Sequence, residues 1–308
     1  MGKKIKIVVV GIGGVGGYFG GLLSKKYAGY GSVEIIFVAR GEHLRQIKQV
    51  GLKVIKGNEL FYTSPNLATD NFDEIGVADY IIISTKSYGL AQILDSLMPC
   101  ITPQTVLLPL LNGVDAHDII SRRFPENTVL KGCAFIISRL KSAGVIENSG
   151  NVQRISFGLD GPLSKEVLLL NDLCRDAGIE VNCSDKISTA VWEKFIFISP
   201  AATATSFYNK TIGEVLLHHS HEVKALIAEI KSLAQAQGIA LGDDISEKTL
   251  NTMQSMKYDA TSSMHRDYID QKPETEVESL TGYIVREAAK YGLETPAYTH
   301  FYAGLIVR

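Results

Sequence analysis

A lysine in the second half of the chain has the chemistry of a proton donor. Lys194 stands in the run Trp192-Glu193-Lys194-Phe195, at the start of a stretch whose apolar residues recur at helical spacing. Reduction of a ketone needs a proton donor beside the oxygen that becomes an alkoxide, and a lysine ammonium can supply that proton and stabilise the developing charge. Taken alone, a lysine next to a tryptophan on a helix is more often an ordinary surface residue.

Two other polar side chains follow apolar runs that are predicted to be strands. Lys86 comes soon after the run 80–83, and Asn112 comes soon after the run 106–110. In a doubly wound sheet, ligands bind at the carboxyl ends of the strands. A lysine at that place can meet a phosphate or a carboxylate, and an asparagine can orient an amide or a carbonyl. Each residue alone is equally well explained as a loop cap or a solvated charge.

Three glycines near the N-terminus have the spacing of a phosphate-binding loop. Gly11, Gly13 and Gly16 form G-x-G-x-x-G directly after the apolar run 5–10 and before a helical pattern. The first glycine allows a tight turn, the second lets the backbone approach a pyrophosphate, and the third allows close packing of helix on strand. The helix that follows supplies N–H donors and a partial positive charge. A glycine-rich turn without a ligand is the alternative, and the context favours a dinucleotide.

The residue after the second predicted strand indicates which dinucleotide is bound. An NAD enzyme usually has an acidic residue there, whose carboxylate accepts hydrogen bonds from the ribose hydroxyls. Here the run 34–39 ends in Arg40, and a guanidinium suits the 2′-phosphate of NADP through charge and paired hydrogen bonds. We therefore predict NADP. An ordinary surface arginine is the alternative, with Glu42 serving a ribose instead.

Hydroxyl and carboxylate side chains stand close together near the end of the chain. Ser263 belongs to the hydroxyl run 261–263, and Glu276 belongs to the acidic run 274–278. Serine or threonine followed by glutamate is typical of helix N-termini, so capping alone can explain this pattern.

The first half of the chain predicts an α/β fold. Strand patterns, alternating with helical patterns such as that of residues 14–28, occur at residues 5–10, 34–39, 80–85, 106–110 and 129–137. Residues 52–56 and 60–63, joined by Gly57-Asn58, predict a hairpin. Strand followed by helix followed by strand implies right-handed crossovers and a mostly parallel, doubly wound sheet. We expect an NADP-binding Rossmann domain over residues 1–185.

The second half predicts helices alone. Helical patterns occur at residues 187–199, 212–237, 246–256, 274–291 and 297–306, and no convincing strand pattern follows residue 185. We expect an all-α substrate-binding and catalytic domain over residues 186–308.

The composition excludes several classes of partner. The chain has 308 residues, is 45% hydrophobic and 21% charged, and carries a formal net charge of −2 without a basic stripe. Nucleic acid and anionic membrane surfaces are therefore not expected partners. Four separated cysteines without a CxxC pair argue against a zinc site or a disulfide scaffold and fit the reducing cytoplasm. No run approaches the roughly 20 apolar residues that span a bilayer, and no metal ligand set is predicted.

These motifs in this order resemble the ketopantoate reductase family (2-dehydropantoate 2-reductases). The resemblance covers nearly the whole chain, from the glycine loop through the Thr-Lys and Asn-Gly loops to the Trp-x-Lys, Ser-Ser-Met and Thr-Glu…Gly segments. It implies that Gly11, Gly13 and Gly16 hold the pyrophosphate of NADPH and that Arg40 holds the 2′-phosphate.

The resemblance also implies roles for the polar residues singled out above. Lys86 and Asn112 would lie beside the nicotinamide and the substrate, and Lys194 matches the general acid of the family. Ser263 matches a contact to the substrate carboxylate, and Glu276 matches an acidic residue that serves both the substrate and the lysine. A carboxylate near the lysine would orient the ammonium and favour its charged form.

The chain departs from the family pattern along the helix that carries the lysine. The family has asparagine four and eight residues after its lysine, facing the substrate hydroxyls, whereas this chain has Ile198 and Ala202, with Pro200 between them. The departure affects positions that would contact the substrate, and it leaves the residues assigned to the cofactor unchanged. Three nearby hydroxyls are candidates to replace the missing amides if the helix shifts: Ser199, Thr203 and Thr205.

The function that the resemblance implies is NADPH-dependent reduction of 2-dehydropantoate (ketopantoate) to pantoate in pantothenate biosynthesis, in the cytoplasm. One alternative is a reductase of a different small-molecule 2-keto acid with NADP. Another is a non-catalytic NADP-sensing protein, although a sensor would not need Lys86, Lys194 and Glu276 together. The oligomeric state stays open, with a homodimer among the alternatives.

Overall fold

A computed structural model shows strands and helices in the first part of the chain and helices in the last part. It describes residues 4–27, 29 and 31–308. In chain order, the strands β1–β12 of the described residues are Ile5–Val10, Val33–Val38, Leu52–Lys56, Glu59–Thr63, Leu67–Thr69, Tyr80–Ile83, Val106–Pro109, Lys131–Phe135, Ser138–Ser142, Val145–Asn148, Arg154–Gly158 and Glu180–Ser184. The helices α1–α12 are Gly14–Tyr27, Gly41–Val50, Leu90–Ser96, Ala116–Arg123, Lys165–Asp176, Ile187–Tyr208, Ile212–His218, Ser220–Ala236, Ile245–Gln254, Ser263–Ile269, Tyr283–Lys290 and Pro296–Leu305.

The chain divides into two compact units. The first comprises the residues up to Leu111 together with Ala116–Ile187, and the second comprises Asn112–Asp115 together with Ser188–Arg308. The sequence predicts that the short segment Asn112–Asp115 belongs to the first domain, and the structure groups it with the second unit. Because it belongs to the second unit, Asn112 is grouped with the helices that carry the later site residues.

A five-stranded parallel sheet forms the centre of the first unit. Its strand order is β5-β2-β1-β6-β7, and every neighbouring pair is parallel. Val10 pairs with Val38 on one side and with Ile83 on the other, so β1, β2 and β6 end at the same level. The strands β2 and β5 lie on one side of β1, and β6 and β7 lie on the other side. The carboxyl end of β1 is therefore a topological switch point, the kind of place where ligands bind in such sheets. The predicted doubly wound α/β fold is confirmed.

Two smaller sheets complete the first unit. The predicted hairpin is present as β3 and β4, and it joins a sheet of order β4-β3-β10-β9. The predicted strand 129–137 is present as β8, but it pairs antiparallel with β11 in a sheet of order β12-β11-β8. No pattern in the sequence predicts β9. Most residues of this strand are exposed and polar, so the strand lacks the apolar run that is typical of a central strand.

The second unit has a helical core. Aromatic and aliphatic side chains of several helices bury completely against one another, among them Phe195, Leu226, Ile230, Tyr298 and Phe301. Among the described residues after Ser184 there is no strand, which confirms the predicted all-helical region. None of the described helices is both long enough and apolar enough to pass through a membrane.

The helix predicted at 187–199 is longer than expected, because it continues through Pro200 to Tyr208. Two other predicted helices contain an irregularity. The stretch 212–237 is not one helix, because the backbone leaves helical geometry at His219 (φ −134°, ψ 27°), whose ring stacks on Tyr208 at 3.5 Å between centroids. The stretch 274–291 begins later than predicted and opens with a π-helical turn, Glu278–Gly282, before α11. Both stretches keep apolar spacing across the irregularity, and spacing alone does not show where the backbone changes.

Candidate functional site

The first and third glycines of the loop are required by the fold itself. Gly11 has φ +89°, a left-handed conformation that favours glycine, and a Cβ there would lie 2.9 Å from Thr85 Cγ2. A Cβ on Gly16 would lie 2.2 Å from the carbonyl oxygen of Gly11, so any side chain would push α1 away from the end of β1. These two positions therefore let the helix pack closely on the sheet, as the sequence motif predicts.

The fold itself does not require a glycine at the second position of the loop, Gly13. A Cβ built on Gly13 would meet no protein atom within 4 Å, and the residue does not have a positive φ. The loop leads into α1, which has no acidic residue in its first turn. Open space beside a glycine, next to a helix N-terminus, is the arrangement that admits an anionic group close to the backbone. The first unit thus has the cradle that a pyrophosphate needs.

Polar groups also follow β6 at this edge of the sheet. The hydroxyl groups of Ser84 and Thr85 are buried and make no hydrogen bond within the described residues. Lys86 follows them, is half-buried and begins a 3₁₀ turn. Buried hydroxyls of this kind usually have a partner, so their position fits a ligand or a water at the carboxyl end of β6.

Arg40 stands at the N-cap position of α2, directly after the end of β2. It is exposed, and its guanidinium makes no hydrogen bond or ion pair with the described part of the chain. Glu42, the alternative ribose ligand, is held by its own helix: Arg45 Nε and Gln46 Nε2 donate to its carboxylate at 2.7 and 2.9 Å. These bonds, that from Gln46 above all, lower the pKa of Glu42. The arrangement leaves Arg40 as the group available to a ligand.

A histidine that no sequence motif identifies contacts the glycine loop. His43 Nε2 lies 2.7 Å from the carbonyl oxygen of Ile12, and the N–H of Gly144 donates to His43 Nδ1 at 2.8 Å. Burial lowers the pKa of His43. The only signal in the sequence was its place three residues after Arg40, and Gly144 is too distant along the chain for spacing to connect the two.

In the second unit the structure brings together two of the predicted residues. Lys194 Nζ donates to Asn112 Oδ1 at 3.1 Å, although 82 positions separate them in the chain. Both belong to the second unit, and a Cβ on the neighbouring Gly113, which has φ +96°, would lie 3.4 Å from Ser279. The amide oxygen fixes the position of the ammonium, as a proton donor needs.

The opposite faces of α6 differ in burial around the lysine. Trp192 and Phe195 are almost completely buried in the core, whereas Lys194 and Ile198 are half-buried on another side of the helix. Residues four apart lie one above the other on a helix. Ile198 is therefore one of the half-buried side chains that neighbour Lys194 along the helix, while Ala202 is buried.

Glu276 and Ser263 stand at two helix beginnings in the second unit. Glu276 is only 2% exposed and comes two residues before the π-helical turn. Ser263 is half-buried and opens α10, whose N-cap is Ser262. A π-helical turn is often found at functional sites. The roles of both residues stay predictions.

The three hydroxyls considered as substitutes for the missing amides have other partners. Ser199 lies 2.6 Å from the carbonyl oxygen of Leu280, Thr203 pairs with Thr281, and Thr205 donates to the carbonyl oxygen of Ala201. Ser199, Thr203 and Thr205 are all completely buried. The suggestion that they replace the amides is therefore wrong, because they tie α6 to its own backbone and to the π-helical turn.

Comparison with known proteins gives one consistent result. Residues 7–161 match the family described as ketopantoate reductase PanE/ApbA, and residues 186–307 match its C-terminal part. The uncharacterized oxidoreductase YkpB of Bacillus subtilis (strain 168) is 32% identical over 306 residues, with 98% of each chain covered.

Solved structures resemble this chain over nearly its whole length. The crystal structure of 2-dehydropantoate 2-reductase from Porphyromonas gingivalis W83 has a TM-score of 0.87 at 32% identity, covering 99% of this chain and 100% of that one. A ternary structure of D-mandelate dehydrogenase with NADH and anilino(oxo)acetate has a TM-score of 0.85 at 22% identity, with 98% of each chain covered, and shares the fold.

Proposed function

This chain belongs to the ketopantoate reductase family of oxidoreductases, and on that premise we propose that it reduces a small 2-keto acid, ketopantoate first, with NADPH. The single observation that carries the proposal is the contact of Lys194 with Asn112, because it presents an ammonium in a fixed position on a half-buried helix face. The 32% identical structure from Porphyromonas gingivalis, a 2-dehydropantoate 2-reductase, supports ketopantoate as the substrate. Pantothenate synthesis is the setting that we propose with it. Four cysteines, none of them in a disulfide bond within the described residues, fit a cytoplasmic enzyme.

The cofactor is held, in this proposal, by the first unit. Gly11, Gly13 and Gly16 give the pyrophosphate its cradle, Arg40 takes the 2′-phosphate, and Lys86 lies toward the nicotinamide end. Two observations support this assignment: the open space at Gly13, and the guanidinium of Arg40, which has no partner among the described residues. When bound, the nicotinamide cofactor supplies a hydride to the keto carbon.

The protein's own contribution to the chemistry is assigned to the second unit. Lys194 gives a proton to the oxygen of the keto group and stabilises its negative charge as the charge develops. Asn112 Oδ1 accepts a hydrogen bond from one of the three N–H groups of the ammonium, and this bond limits the orientations of Nζ. Ser263 and Glu276 are proposed to contact the substrate, with Glu276 also serving the lysine.

Arg40→Ala is expected to raise the KM for NADPH by roughly ten- to a hundredfold, because a charge-assisted phosphate contact contributes about 1.5–3 kcal/mol. The KM for NADH should stay nearly unchanged, since NADH has no 2′-phosphate. Arg45→Ala is the matched control, because Arg45 is also exposed on α2 but is paired with Glu42. Equal weakening of NADPH and NADH by Arg40→Ala would show that Arg40 does not bind the 2′-phosphate.

A second candidate substrate is favoured by Ile198. Ile198, about one helical turn along α6 from Lys194, is an aliphatic group, and the hydroxyls nearby in the chain are buried and bonded elsewhere. An isoleucine gives no hydrogen bond to a substrate hydroxyl, and a hydroxyl that loses its water there without a partner is disfavoured. The candidate is a 2-keto acid with a branched, purely aliphatic side chain.

The test is a spectrophotometric assay of NADPH oxidation with a matched pair of substrates, ketopantoate and its analogue without the hydroxyl group. If the aliphatic substrate is correct, Ile198→Asn should shift the ratio of the two kcat/KM values toward ketopantoate by about tenfold, the effect of one new hydrogen bond. A wild-type preference for ketopantoate that Ile198→Asn leaves unchanged would exclude the second candidate. Absence of NADPH oxidation with both acids would count against the proposed reaction itself.

A further inference from the structure

His43 links the glycine loop to a hairpin distant in the sequence. Its ring lies between the carbonyl oxygen of Ile12, inside the loop, and the N–H of Gly144, in the turn between β9 and β10. The turn is itself fixed, because the N–H of Lys53 in β3 donates to the carbonyl oxygen of Gly144 at 2.9 Å. The loop is thus tied through one imidazole ring to the four-stranded sheet.

The two hydrogen bonds determine the protonation of the ring. The N–H of Gly144 can only donate, so His43 Nδ1 must be the acceptor. The proton of the neutral ring is then on Nε2, from which it is donated to the carbonyl oxygen of Ile12 at 2.7 Å. Burial acts in the same direction, because it lowers the pKa of His43 and so favours the neutral form of the ring.

This bond fixes the peptide group between Ile12 and Gly13. In a planar trans peptide, the C=O and the N–H point in opposite directions. With the Ile12 carbonyl held toward His43, the N–H of Gly13 points away from the ring. Gly11 and Gly13, on either side of Ile12, have no side chains to restrict this peptide, and a Cβ on Gly13 would meet no atom within 4 Å. His43 is therefore the contact that selects one orientation of an otherwise permissive peptide.

We propose that His43 is a positioning residue for the dinucleotide: it holds the Ile12–Gly13 peptide so that the Gly13 N–H is directed at the pyrophosphate before the cofactor binds. The inference rests on the proposed function, since it assumes that a dinucleotide occupies the loop. His43 also lies in the first turn of α2, three residues after Arg40, so one short segment serves both the pyrophosphate and the 2′-phosphate. Orientation before binding removes part of the ordering cost of association.

The test compares three variants by titration of the protein alone with NADPH and with NADH, following cofactor fluorescence. His43→Leu removes both bonds, and the Kd for either cofactor should rise roughly tenfold, the effect of one lost positioning hydrogen bond. His43→Asn keeps an acceptor near the Gly144 N–H and loses the donor to Ile12, so it should bind as weakly as His43→Leu. His43→Gln places an N–H donor near the Nε2 position and should restore the Kd to within about threefold of wild type.

The control is Tyr27→Phe, which removes another hydrogen bond of the first unit, from Tyr27 to the carbonyl oxygen of Leu173 at 3.0 Å. Tyr27 ends α1, about 20 Å along the helix from the loop, so its loss should lower the melting temperature without changing either Kd. Binding by His43→Leu that equals wild type, or rescue by Asn instead of Gln, would overturn the inference while the proposed function stands. A wild-type protein that binds neither cofactor would overturn both.

Discussion

Replacing Lys194 with alanine is expected to lower kcat by about 10²–10⁴, the usual contribution of a general acid. The variant removes the ammonium, which lies 3.1 Å from Asn112 Oδ1. The Kd for NADPH should change little, because Lys194 belongs to the second unit and the phosphate cradle belongs to the first. Steady-state kinetics together with a cofactor titration measure both quantities.

Three further variants test whether the charge of Lys194 is what matters: one at Lys194 itself, one control on the same helix, and one at Glu276. Lys194→Met keeps most of the aliphatic stem and removes the charge, so it should be as slow as Lys194→Ala. Glu193→Ala is the matched control, because Glu193 is the exposed neighbour on the same helix and should keep normal turnover. Glu276→Gln should lower kcat in parallel if the carboxylate serves the lysine. Near-normal turnover by a folded Lys194→Ala protein would show that the proton comes from another group, with Lys86 the next candidate.

Local sequence patterns predict the parts of this fold that depend on neighbouring residues. The buried run that becomes β1, the turn at Gly57-Asn58 and the glycine spacing all follow from local preferences, and the structure has a strand, a hairpin and a strand–turn–helix at those places. Parallel pairing of β1 with β2 and β6 then puts the ends of these strands at one edge. The part of the proposed site that depends on strand ends was therefore predictable.

Contacts between distant residues were not predictable in the same way. Lys194 and Asn112 were singled out separately, and no pattern in the sequence shows that Nζ and Oδ1 are bonded. The contacts of His43 were not predictable because its partners are the backbone carbonyl of Ile12 and the backbone N–H of Gly144. Almost every residue has these backbone groups, so a side chain that bonds to them produces no motif in the sequence.

The buried hydroxyls of α6 show that closeness in sequence to a site position does not place a side chain in the site. Ser199 and Thr203 lie close in sequence to the positions where the family has amides, yet they are directed at Leu280 and Thr281. Pro200 lies inside this helix and has no N–H to donate, and the π-helical turn nearby also departs from regular helical bonding. Ser199 thus satisfies a backbone carbonyl of that turn and Thr203 a hydroxyl on it, as buried polar groups generally find partners inside the fold.

Alanine at Gly16 should lower the stability of the protein, whereas alanine at Gly13 should leave the stability unchanged and weaken cofactor binding. Gly16→Ala puts a Cβ 2.2 Å from the Gly11 carbonyl oxygen, so backbone atoms must move, at a cost of about 1–3 kcal/mol or more. Its melting temperature should fall by several degrees. Gly13→Ala has open space within 4 Å of the new Cβ, so its melting temperature without cofactor should equal that of wild type.

Cofactor binding should show the larger effect at Gly13. A methyl group in this space would keep the pyrophosphate from the backbone N–H donors, and two charge-assisted hydrogen bonds contribute roughly 3–6 kcal/mol. The Kd for NADPH and for NADH should therefore rise about 100-fold or more, because both cofactors have the pyrophosphate. Equal loss for the two cofactors distinguishes this position from Arg40, where only NADPH should suffer. A stable Gly13→Ala protein that binds both cofactors like wild type would show that no pyrophosphate lies against this loop.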